Sequence, residues 1–228
     1  MLREIGRQIV HRLAVGHGDI DGEDWGTVFA QAVGGLHRSR PIGLSDVEFN
    51  GCAWSVKTVK ATRPFSQQRV RLISGRNSPD YSFGISDPRQ NPANTGRAVL
   101  AIWNKRVNEG MDEHADLRIA VLIRNMQTRE YVLFEDAATR FVPDNYRWEF
   151  NRNGNLEGFG LETGEHTFTW QPHGGQFTII RTVPPSARKF TINRNVPLVE
   201  ISQVLAYVDY REDWIEIEPS WNQLPETC

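Results

Sequence analysis

Ser45-Asp46-Val47-Glu48-Phe49-Asn50-Gly51-Cys52-Ala53-Trp54-Ser55-Val56-Lys57-Thr58 is the stretch on which the fold turns. Two short runs that alternate apolar and polar residues flank Asn50-Gly51, the strongest short-range signal for a two-residue hairpin turn. A type I′ turn sets Phe49 opposite Cys52, Glu48 opposite Ala53, Val47 opposite Trp54 and Asp46 opposite Ser55. Side chains alternate across a strand. One face therefore carries Val47, Phe49, Cys52, Trp54 and Val56 as core, and the other carries Asp46, Glu48, Ala53, Ser55 and Lys57. A carboxylate across from a serine, with a lysine two residues on, is costly to place beside a core without a use.

Upstream, Leu2, Ile5, Ile9, Val10 and Leu13 recur at helical spacing, which predicts a helix over 2–15 ending near Gly16. Residues 16–22 read as a loop. A second helix over 23–33 buries Trp25, Val28, Phe29, Ala32 and Val33, and places Glu23 and Asp24 in its first turn, where the helix dipole favours acids. Gly34-Gly35 ends it, and residues 37–41 lead into the hairpin.

Downstream, the strand continues through Thr58-Val59, which leaves Lys60 on the face opposite Lys57. Residues 63–71 show no clear period, although 70–73 read as a strand. Residues 74–96 hold Pro79, Pro88 and Pro92 and read as a long loop suited to contact in a groove. Ala98 to Trp103 reads as a short buried strand. Residues 117–123 and 130–135 read as strands around a turn, and 146–150 with the glycine-punctuated region to Gly164 as further β structure. Strands over 167–170 and 176–180 flank a loop. Gln171, His173 and Gln176 there carry donors and acceptors suited to base edges, and the same pattern also fits a plain wide hairpin loop. A helix over 196–207 and a strand over 214–217 complete the chain.

A length of 228 residues with 39% hydrophobic and 24% charged content fits one soluble domain. The absence of a bilayer-length apolar run and of a signal-peptide core, together with only two cysteines, leads to the expectation of a cytoplasmic protein. No nucleophile elbow, phosphate-binding loop or dinucleotide motif occurs, and the six histidines lack zinc-protease spacing. The net charge of −2 conceals an asymmetry. From Lys57 to Arg106, ten lysines and arginines face only Asp80 and Asp87, whereas seven acids face only Arg211 after Val199. The basic segment suits a phosphate backbone, with Lys60, Arg63, Arg69, Arg71 and Arg76 as its leading contacts. Equally, it suits a solvated face balanced by the acidic tail.

The hairpin pattern resembles the PD-(D/E)XK nuclease superfamily, which includes most type II restriction endonucleases. There an Asp begins one strand and an acid-x-Lys triplet lies on its antiparallel neighbour. Asp46 matches the Asp, and Ser55-Val56-Lys57 stands at the triplet; Ser45 replaces the usual Pro and Ser55 the usual acid. Ser-x-Lys triplets occur in one restriction-endonuclease branch, where a Glu on the following helix supplies the missing charge, but no acid lies between Lys57 and Asp80 here. The resemblance implies a restriction-endonuclease-like α/β fold: a mixed central β-sheet flanked by helices, with a β-rich C-terminal half. It also implies Mg²⁺-dependent cleavage of double-stranded DNA at a specific sequence, by a homodimer where sites are palindromic. Asp46 would be the principal metal ligand, Lys57 the lysine beside the metal, and Glu23, Asp24 or Glu48 the second acid. The alternative is a non-catalytic DNA-binding or protein-interaction module that uses the basic 57–106 face.

Overall fold

Helices α1 (Leu2–Ala14) and α2 (Gly22–Val33) open the chain of the computed structural model, which describes residues 1–38 and 43–216. Asp21 caps α2 by accepting from the Asp24 N–H, and Gly34, at a φ of +74°, closes it in the left-handed region. A six-stranded mixed sheet follows, in the order β1 (Leu36–His37), β2 (Val47–Phe49), β3 (Cys52–Lys60), β5 (Asp116–Asn125), β6 (Glu130–Ala137), β11 (Arg188–Thr191). A five-stranded antiparallel sheet runs β4 (Arg69–Arg76), β10 (Gln176–Thr182), β9 (His166–Gln171), β8 (Leu156–Gly160), β7 (Tyr146–Phe150). This is a mixed α/β architecture with helices flanking the mixed sheet, and strands dominate the second half of the chain.

The hairpin register is the one expected from Asn50-Gly51: Val47 pairs with Trp54, Glu48 with Ala53 and Phe49 with Cys52. Asn50 and Gly51 both adopt positive φ, as a type I′ turn requires. β3 lies in parallel beside β5 from Cys52↔Asp116 to Lys60↔Arg124. A parallel pair needs a crossover, and residues 61–115 provide it, carrying β4, the short helix α3 (Pro79–Phe83) and the long helix α4 (Pro92–Glu113).

As an interior strand, β3 is covered on both faces. On one, Val47, Trp54, Val56, Ala120 and Leu122 pack against Ile5, Ile9, Trp25, Val28 and Phe29 of α1 and α2. The Trp25 indole N–H donates to the Ala120 carbonyl at 3.2 Å, so this large side chain is buried without an unsatisfied donor. On the other face, Ala53, Ile119, Val121 and Ile123 meet Val99, Leu100, Trp103 and Val107 of α4 and the inner face of the second sheet. The hairpin's second face, expected to be polar, is therefore largely buried, with Ala53 and Ser55 both inaccessible. Phe49, expected in the core, is partly exposed at the turn.

Four other expectations are corrected. Ala98–Trp103 is not a strand but the middle of α4, whose start is fixed by the Asn91 side chain accepting from the Asn94 N–H and by Pro92 in the first turn. Val99, Leu100, Trp103 and Val107 are a helical stripe. The long loop over 74–96 is shortened from both ends, by β4 reaching Arg76 and by α3 and α4. The last helix is confined to α5 (Ile201–Tyr207), because Pro197 and the bond from Val199 N–H to the Ala14 carbonyl keep the preceding residues out of the helix. Glu212–Trp214 is a single 3₁₀ turn where a strand was expected to begin, and Ile217 lies outside the described residues.

Candidate active site

Where the chain enters β2, Asp46 is held by both of its neighbours. Its N–H donates to the Trp54 carbonyl at 2.9 Å, and its own carbonyl accepts from the Arg38 N–H at 2.7 Å. These bonds replace a regular pairing of Asp46 with Ser55. β2 ends its ladder at Val47, while β3 runs on for six residues beyond Trp54. The Asp46 side chain fills the first vacant rung: Oδ2 accepts from the Val56 N–H at 2.8 Å and from the Ser55 hydroxyl at 3.2 Å.

Lys57 completes the group. Its ammonium donates to Ser55 Oγ at 2.8 Å and to the Val56 carbonyl at 3.1 Å, and lies 3.7 Å from Asp46 Oδ2. The side chains of Asp46 and Lys57 are each 22% exposed, so the pair opens to solvent on one side while Ser55 beneath it is buried. Desolvation draws the Lys57 pKa below the ordinary lysine value, opposed by the charge of Asp46. A lysine in this setting releases its proton more readily than a solvated one. Among the described residues, Asp46 Oδ1 receives no hydrogen bond.

The three candidate second acids are all engaged elsewhere. Asp24 bridges the two N-terminal helices, with Arg12 at 2.7 Å and His17 at 3.2 Å. Glu23 faces His37 at 3.6 Å. Glu48, two residues from Asp46, has Oε2 3.5 Å from Arg38 Nε and Oε1 3.9 Å from His114 Nε2. His114 ends α4, and the Ala115 N–H bond to the Gly51 carbonyl docks that end on the hairpin turn. No sequence signal placed His114 beside Glu48. Among the described residues no three His, Cys, Asp or Glu side chains gather as a metal cage. The donor set therefore fits Mg²⁺ only in its minimal mode, through one or two carboxylates with substrate phosphates and water completing the octahedron.

The candidate contacts to nucleic acid divide into three places. Arg76, Gln176 and Gln171 lie in register across β4, β10 and β9, and exposed His173 sits on the loop beyond them. Gly174 and Gly175 take positive φ there, and the loop borders a cleft of about 530 Å³ together with Arg76, Tyr81 and Trp170. Arg69 and Arg71 point outward further along β4, donating to the His166 carbonyl and the Thr169 hydroxyl. Lys60 is on the helix-covered side, as its parity requires, and is paired with Asp19 at 2.8 Å. Arg63 is exposed in the loop after β3.

No family model matches this chain, and no curated protein or solved structure resembles it significantly. Among the described residues, no helix is long and apolar enough to cross a membrane.

Proposed function

We propose that the protein is a Mg²⁺-dependent nuclease that cleaves double-stranded DNA at a specific sequence, in the manner of a type II restriction endonuclease. One observation carries the reading: Asp46, at the entry to β2, and Ser55 and Lys57, on antiparallel β3, form one hydrogen-bonded group with a solvent-facing side. The group resembles the Asp and x-Lys arrangement of the nuclease superfamily, with a serine in place of the second acid. Bound Mg²⁺ would supply a lowered pKa for its water and charge neutralisation at the scissile phosphate. Asp46 Oδ1 would hold the ion, while Oδ2 stays committed to the β3 backbone. Lys57, desolvated and tethered by Ser55, would position the attacking water and, in its neutral form, take its proton. Arg76, Gln171, His173 and Gln176 would contact DNA at one end of the second sheet, and a homodimer would match two-fold sites.

The test is incubation of the purified protein with plasmids of diverse sequence, with Mg²⁺ or EDTA. Discrete fragments with Mg²⁺ alone are expected. DNA that is retarded in a gel but never cut would replace this reading with a non-catalytic DNA-binding module, which the polar cluster around Arg76 would still serve.

A further inference from the structure

Beyond Val199 the described chain is almost wholly exposed. Residues 201–209 are all exposed, yet Ile201, Val204, Leu205 and Val208 recur at i, i+3, i+4 and i+7, the spacing of a buried helical stripe. Ile201 is 76% accessible. Trp214 and Ile215 extend the apolar surface. A seven-residue helix has too few hydrogen bonds to persist in water on its own, even with the capping box that Glu200 and Gln203 form. An exposed apolar stripe on so short a helix needs a surface to lie on.

A matching surface is present on the same chain. A groove of about 620 Å³ runs between α1 and the edge strand β11. Leu2, Gly6 and Val10, at i, i+4 and i+8, line one wall, and Phe190 and Ile192 line the other. Arg3, Arg7 and His11 follow the same spacing along the rim. The arm carries the opposite charge, with Glu200, Asp209, Glu212 and Asp213 against Arg211 alone. The arm departs from the far end of α1, where the Val199 N–H bonds the Ala14 carbonyl, and none of its residues lines the groove of its own chain.

We propose that the arm, residues 198–215, docks in the α1–β11 groove of a second copy of the chain, and that two such exchanges form a two-fold dimer. Apolar stripe meets apolar wall, and the acidic arm lies along the basic rim. Reciprocity follows from symmetry, since a contact that uses both features of each copy closes at two. This inference stands on the arm and groove alone and does not depend on the nuclease reading.

The experiment is sedimentation of the full chain across micromolar concentrations, with circular dichroism to verify that each variant is folded. The wild type should be dimeric. The arm variant V204D/L205D and the groove variant G6W should each be monomeric; a Cβ at Gly6 meets nothing within 4 Å, so the tryptophan enters the groove rather than the core. Mixing the two variants should restore a dimer held by one arm, because each supplies the part the other lacks. A wild type that is monomeric throughout, or a dimer that survives both variants, would overturn the proposal. So would failure of the mixture to associate when each variant is folded.

Discussion

The Val56 N–H donates to Asp46 Oδ2 at 2.8 Å, so a carboxylate occupies a rung of the sheet that a backbone carbonyl would otherwise fill. Asp46 thus has two duties that can be separated by mutation. Asp46→Asn keeps an acceptor for Val56 and should change stability by less than about 1 kcal/mol while abolishing Mg²⁺-dependent cleavage. Asp46→Ala should also lose stability, by about 1–3 kcal/mol, because a buried N–H is left unpaired. Urea unfolding and plasmid cleavage on the two variants provide the check; equal cleavage by Asp46→Asn and wild type would remove Asp46 from the chemistry.

Lys57→Met should reduce cleavage by at least about a hundredfold, while DNA binding survives the loss of a single cation. Lys60→Met should be nearly neutral for cleavage, since Lys60 lies on the other side of the sheet. An inactive Lys60→Met beside an active Lys57→Met would reverse the assignment.

The lowered Lys57 pKa also sets a pH dependence of stability. Between its folded value and the ordinary lysine value, the unfolded chain holds a proton that the native protein has released. Native stability from this group therefore rises with pH across that window. The difference in urea midpoint between wild type and Lys57→Met should shift accordingly as pH increases; a flat difference would contradict it.

Among the acids, Glu48→Gln should impair cleavage, because Glu48 is the nearest of the three to Asp46 along the chain and is fixed by Arg38 and His114. Asp24→Asn should instead loosen the α1–α2 contact, visible as a lower melting temperature with cleavage retained. Glu23→Gln should do neither. Full cleavage by all three variants would show that a single carboxylate suffices.

Asp19 grips the buried Arg124 guanidinium at 2.7 and 3.0 Å and also pairs with Lys60. Hydrogen bonding from Arg124, more than that from Lys60, holds the Asp19 carboxyl well below the usual carboxylate range. Its stabilisation is present above the ordinary Asp value and is lost as pH falls through the lowered folded value. Asp19→Asn should destabilise by about 1–3 kcal/mol, less than a fully buried pair because Asp19 reaches solvent. Thermal unfolding at neutral and acid pH would measure this, and the gap between variant and wild type should narrow toward acid.

The hairpin and its register were legible because both signals are local: Asn50-Gly51 dictates the turn, and alternation dictates the faces. The same locality explains the errors. Val99 to Trp103 is apolar enough for a buried strand, and only the cap at Asn91 and the stripe through Val107 reveal a helix. The burial of the second face of β3 depends on α4 and the second sheet, far along the chain, so no period within the hairpin could disclose it. Asp46, Ser55 and Lys57 came together as read. The surroundings of Glu48 did not, because His114 reaches it from the far end of α4.

β4 lies inside the crossover that joins β3 to β5, yet its partner β10 is about a hundred residues further on, with Arg71 opposite Ile180. During synthesis, β4 must therefore wait, with its apolar Val70 and Leu72 face and its unpaired edge exposed, until most of the chain has emerged. Closing so long a loop is slow, so assembly of the second sheet is expected to set the folding rate. Mutations that weaken the β4–β10 contact would then be felt first as aggregation of the nascent chain rather than as a lowered melting point of the finished protein.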